Sequence, residues 1–150
     1  MEQVADLRDG ESVATGTVRT RYLRSSFQAR RLTRNFLATL SPPPSCEAAE
    51  TVLLVVSELV TNALRHGDGV RDFRLSIGHG TVTVEVADSS SVLPRDRSPQ
   101  DFTEGEDGGF GWPIVCHLAR DVTIRAHPET GKTVCADIPL QRCVSAAAPD

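Results

Sequence analysis

Between residues 51 and 67 the chain reads TVLLVVSELVTNALRHG, with Val52, Val56, Leu59, Val60 and Ala63 recurring at spacings of three and four. That period predicts one helix of about four to five turns with a continuous apolar face. Glu58 and Asn62 stand four apart, so they share another face, one turn from each other. Their row runs back through Leu54 and Val55, so a carboxylate and an amide interrupt a surface that is apolar one turn earlier. A helix that borders a polar pocket has this pattern. On the stretch alone, a solvated face explains it equally well.

The flanking patterns supply the other elements. Met1–Gly16 is polar and aperiodic and is expected to be loose. Thr17–Leu23 is a candidate strand. Ser25 followed by Gln28 has the form of a capping box opening a helix over Ser26–Leu40. Phe27, Ala29, Leu32, Phe36, Leu37 and Leu40 form its apolar stripe, with Arg30, Arg31 and Arg34 mostly off it. A solvated face is the better reading of those arginines, and a partner-binding face is the other. The run SPPPS (Ser41–Ser45) breaks the helix, and Ser45 can cap the next one, with Glu47 and Glu50 in its first turns. That second helix ends at His66-Gly67-Asp68-Gly69. Asp72–Gly78 and Thr81–Ala87 alternate as strands around a tight turn at His79-Gly80, and Asp88 stands where the second runs out. Ser89–Gly108 has no periodicity, and a loop of that length inside a domain is usually functional or mobile. Gly108-Gly109-Phe110-Gly111 leads into a short helix, Trp112–Arg120, with Pro113 in its first turn. Val122–Ala126 and Thr133–Leu140 complete the set as a hairpin. This order implies an α+β fold, a two-layer sandwich of a mixed, mostly antiparallel sheet with helices on one face. The expected domain is 17–140, between a flexible N-terminus (1–16) and a frayed tail (141–150).

Composition narrows the function classes. The 150 residues are 39% hydrophobic and 24% charged, ordinary for one soluble domain. The net charge of −4 gives no overall attraction to nucleic acid. Basic residues do cluster over Arg19–Arg34, while acidic ones gather in 96–121. Lys132 is the only lysine. No segment reaches the length of a membrane helix, and the N-terminus lacks the order of a signal peptide, so a cytoplasmic location is expected. Cys46, Cys116, Cys135 and Cys143 make no zinc spacing and read as reduced, mostly buried thiols.

Four features carry the candidate chemistry. Asn62 offers a neutral hard oxygen suited to Mg²⁺, and Glu58, one turn away, can act as a general base. Asp88 can accept a hydrogen bond from an exocyclic amine such as that of adenine, although an Asp ending a strand is by itself more often a turn residue. Gly108, Gly109 and Gly111 before a helix allow close backbone approach and favour an anion there. Gly131-Lys132-Thr133 opens the last strand, where the Thr133 hydroxyl could sit near the base. His66 could reach phosphate, but ending the helix is its simpler role. No serine lies in a nucleophile elbow and the histidines form no catalytic set, which excludes a hydrolase triad.

In this order the four features resemble the GHKL ATPase family of gyrase, Hsp90, histidine-kinase and MutL ATP-binding domains. The resemblance spans about Ser25–Leu140. SELVTNALRHG resembles the N box, which implies Glu58 as general base and Asn62 as Mg²⁺ ligand. VEVADSSSVLP resembles the first glycine box, which implies an adenine contact at Asp88. GGFGWPIVCHLA resembles the second, phosphate-covering box, which implies Gly109 and Gly111. GKTVCADIPL resembles the final hairpin, with its threonine at Thr133. The resemblance implies the Bergerat-type ATP-binding fold, with ATP and Mg²⁺ bound. The short length resembles the bacterial anti-sigma-factor serine kinases. That likeness implies a homodimer that binds a sigma factor and phosphorylates a STAS-domain anti-anti-sigma protein. Two departures stand out: Ser89, Ser90, Ser91 and Val92 replace the usual glycines after Asp88, and Trp112-Pro113 follows Gly111. They bear on catalysis more than on binding, so the alternative is a regulator without turnover that sequesters its partner through the helix Ser26–Leu40. A histidine-kinase catalytic domain is disfavoured, since no histidine has the phospho-acceptor setting.

Overall fold

The apolar face predicted at 51–67 belongs to a longer helix. In the computed structural model, which describes residues 5–6, 12–14, 16–66, 69–90 and 111–140, α2 spans Cys46–His66. The Ser45 hydroxyl accepts the Ala48 N–H at 3.1 Å, and Glu47 lies in the first turn, so the cap and the dipole both fix this start. Val52, Val55, Val56, Leu59, Val60 and Ala63 are buried along one side. At the far end Gly69 N–H donates to the Ala63 carbonyl at 3.0 Å and turns the chain into the sheet.

Helix α1 (Ser26–Ala38) packs on α2. Its cap is the expected one: Ser25 Oγ accepts from the Gln28 N–H at 3.1 Å. The Gln28 side chain returns a bond to the Arg24 N–H at 3.0 Å. Ala29, Leu32, Phe36 and Leu37 are buried. Phe27, placed on the same stripe by the period, instead stands 74% exposed at the helix start. The buried stripe begins at Ala29, two residues later than the sequence suggests.

One sheet runs in the order β1 (Ala5–Asp6), β2 (Ser12–Ala14), β3 (Thr17–Arg21), β4 (Val70–Gly78), β5 (Thr81–Asp88), β7 (Gly131–Pro139), β6 (Asp121–His127). Every pairing is antiparallel, the limiting case of the mostly antiparallel sheet expected. Residues 1–16, expected to be loose, contribute β1 and β2. Two and three residues are too short for an alternation to show. Helix α3 (Gly111–Leu118) packs against α2 and β6. The tail 141–150 and the loop 91–110 lie outside the described residues.

The period of two in the strands decides which residues meet the helices. Val82, Val84, Val86 and Asp88 are the buried set of β5. They pair with Ile138, Ala136, Val134 and Lys132 of β7. Phe73 and Leu75 of β4 join them, and α2 closes the layer. Each Val, Leu, Ile or Phe of this layer stabilises the fold by roughly 1.5–3 kcal/mol relative to its exposed state. Trp112 packs against the same core. The opposite face is polar and ionic, with Arg19 bridging Asp72 and Arg125 bridging Glu85, each at 3.0 Å. The cysteines depart from expectation: Cys46 and Cys116 are exposed, Cys135 is half-buried on the outer face, and none of the three is in a disulfide. None of the helices among the described residues is long and apolar enough to cross a membrane.

Candidate functional site

Glu58 lies on the side of α2 that meets α3, not in bulk water. Gly111, the first residue of α3, is buried against its carboxylate, so closely that a Cβ there would fall on the Glu58 Oε2. Gly111 is therefore required for contact, not for backbone freedom. Burial raises the Glu58 carboxyl above the usual carboxylate range, with Arg65 pulling the other way. A carboxylate so placed is a stronger base than one in water, as a proton acceptor requires. Asn62, one turn on, is half-buried and its amide makes no hydrogen bond among the described residues. Its carbonyl oxygen is thus available to a hard cation. His66 is the exposed last residue of the helix.

Asp88 ends β5 on the helix-facing side and is 4% exposed. Its register partner on β4 is Val70, which follows Gly69 directly after α2. The topology therefore brings Asp88 to the end of α2 that carries Asn62. Its Oδ1 accepts the Ser90 N–H at 2.9 Å and the Lys132 ammonium at 3.0 Å. Lys132 is also 4% exposed and donates a second, longer bond of 3.4 Å to the Ser90 carbonyl. Gly131 makes this approach possible. It sits at φ 114°, and a Cβ would fall on the Asp88 carbonyl and within 2.7 Å of the Ser89 Cα.

The sequence placed Thr133, not Lys132, at this end, and the structure corrects that. Thr133 pairs with Ala87 and Arg125 on the outer face, and its hydroxyl lies 3.0 Å from His127 Nε2. One residue of register reverses the face of a strand side chain. The signal was present: Val134, Ala136 and Ile138 set the inward phase, and 132 is in step with it. Gly109 lies outside the described residues. Among the described residues no cluster of three or more His, Cys, Asp and Glu exists that could hold a metal. A cation here would rely on Asn62 and on oxygens brought by a ligand. The set fits Mg²⁺, which usually keeps waters and takes phosphate oxygens.

Residues 22–138 match the model of the histidine kinase-like ATPase domain. The chain belongs to the histidine kinase-like ATPase family. The GHKL resemblance thus holds at the level of the family, over residues 22–138. Two relatives are similar to it. An anti-sigma F factor of Bacillus velezensis is 32% identical over 116 residues, 71% of this chain and 78% of that protein. One of Halalkalibacterium halodurans is 32% identical over 109 residues, 66% and 73% respectively. Among solved structures, the histidine kinase domain of the Erythrobacter litoralis EL346 blue-light activated histidine kinase is 32% identical. It aligns at a TM-score of 0.44 over 63% of this chain, which spans only 45% of that one.

Proposed function

We propose that this chain is an ATP-dependent serine/threonine protein kinase that acts as an anti-sigma switch. It would bind a sigma factor and phosphorylate a STAS-domain anti-anti-sigma protein. The observation that carries this reading is the Glu58–Gly111 contact: a carboxylate of raised basicity held where a glycine begins a helix. In this reading Glu58 accepts the proton of the substrate serine hydroxyl as that oxygen bonds to the γ-phosphorus of ATP, while the bond to the β–γ bridging oxygen breaks and ADP leaves. The Asn62 carbonyl oxygen would hold Mg²⁺, which supplies neutralising charge to the phosphates. The amides at Gly109 and Gly111 would stabilise the transferred phosphoryl group, with His66 as a further phosphate contact. Asp88 would accept from the adenine amine. Glu58→Ala should then lower phosphoryl transfer about 10²–10⁴-fold while Mg-ATP binding stays within a few-fold, read by transfer assay and titration. Loss of both together would remove Glu58 from the base role.

A second reading, sequestration without turnover, is favoured by one surface. Tyr22 and Phe27 are 71% and 74% exposed and stand among Arg21, Arg24 and Arg31 at the start of α1. Aromatic anchors within a cationic rim suit an acidic protein partner. The names of the two relatives make a sigma factor the first candidate. A homodimer is part of the proposal and is tested by sedimentation.

A further inference from the structure

The Asp88–Lys132 pair is more than a buried ion pair, because of how its hydrogen-bonding capacity is divided. Both side chains are removed from water, at 4% and 5% exposure, which is costly unless every polar atom is matched. Oδ1 of Asp88 is fully used, by the Ser90 amide at 2.9 Å and by Lys132 at 3.0 Å. Oδ2 has no partner among the described residues. The ammonium has three N–H donors. It spends one on Oδ1 and one on the Ser90 carbonyl at 3.4 Å, leaving the third without an acceptor among the described residues. The pair therefore presents one acceptor and one donor side by side at the end of β5 and the start of β7. A lone aspartate would present acceptors only. A lysine competing with a ligand for Asp88 would engage the open oxygen. This one binds the oxygen already committed to the backbone.

We propose that Lys132 is a specificity-determining residue of the base subsite, reading a ring acceptor next to the amine that Asp88 reads. This inference rests on the nucleotide reading above and deepens it. The ligand edge that satisfies both leftover groups is a 6-aminopurine with unprotonated N1. The amine donates to Asp88 Oδ2, and N1 accepts from Lys132 Nζ. Removing N1 leaves the ammonium short of a buried partner, whereas removing only the amine leaves the aspartate short.

The test is a cycle between one protein atom group and one ligand atom. Mg-ATP and Mg-1-deaza-ATP, which keeps the amine and replaces N1 by C–H, are titrated into the wild type and Lys132→Met. A buried partner left unpaired costs enough for about tenfold weaker binding or more. The wild type should bind 1-deaza-ATP at least about tenfold more weakly than ATP, and Lys132→Met should bind the two alike. Should Lys132→Met fail to fold, the double variant Asp88→Asn/Lys132→Met, which removes both charges, carries the same expectation of no N1 preference. Equal binding of the two nucleotides by the wild type overturns the inference. So does an N1 preference that survives in either variant, or tighter ATP binding by Lys132→Met, which would mark the ammonium as a competitor. If the wild type binds ATP but shows none of this, the nucleotide reading stands and only the role of Lys132 falls. If it binds neither nucleotide, the nucleotide reading itself has failed.

Discussion

Glu58 and Asp88 are both carboxylates set at the helix–sheet layer, and their surroundings treat them in opposite ways. Glu58 meets a glycine, and burial outweighs the opposing charge of Arg65, so burial raises its affinity for a proton. Asp88 meets a lysine and a backbone amide on the same oxygen, and is more deeply buried. The difference teaches that depth alone does not assign a role. A half-buried carboxylate with no ion pair among the described residues is kept reactive, whereas a deeply buried one with its charge matched is kept in place.

The largest expected effect falls on the matched member. Asp88→Asn leaves the Lys132 ammonium buried without its counter-charge, and breaking such a pair from one side costs about 3–5 kcal/mol. Denaturant unfolding should register that loss. A cost near zero would show that the pair is not closed to water.

The two close glycines sharpen the contrast. A Cβ at Gly131 meets backbone of Asp88 and Ser89 at a positive φ, so nothing can yield. Gly131→Ala should cost at least about 1–3 kcal/mol on the same assay. A Cβ at Gly111 meets only the end of the flexible Glu58 side chain. Gly111→Ala should leave stability within about 1 kcal/mol, yet misplace the base and lower phosphoryl transfer on the order of 10²-fold. Equal stability losses at the two glycines would erase the distinction.

The smallest effect is the pH response of Glu58. Its folded pKa is raised above the unfolded value, so the folded chain holds the proton more tightly. Its contribution to stability is present below the unfolded pKa and is lost as pH rises through the folded one. Glu58→Gln, neutral throughout, should therefore be slightly more stable than the wild type at neutral pH and should lose that advantage in acid. Transfer has the opposite sign. It needs the ionised base and should fall as pH drops through a value above the ordinary carboxylate range. A stability difference between the two chains that does not change with pH would deny the shift.

Much of this was legible in the sequence because it rests on period. The three- and four-residue spacing around Val52–Ala63 marks α2, and the alternation Val82–Val84–Val86 puts Asp88 at the strand end, where the structure buries it. Glu58 and Asn62 were found because they break an apolar row. The structure departs where the signal is shorter than its period. β1 and β2 are too brief to alternate, and Phe27 sits in the first turn, before the stripe meets α2. Residue type favours Thr133, whereas the phase set by Val134 points to Lys132. The closeness of Gly111 to Glu58 depends on how α3 docks on α2, and no local pattern records a distance between elements.

The most direct test of the central claim is calorimetric titration of Mg-ATP into the wild type and Asn62→Ala. Magnesium-dependent binding by the wild type that is lost in the variant is the predicted result. Absence of binding by the wild type, or binding that ignores both magnesium and Asn62, would contradict a nucleotide site built on α2.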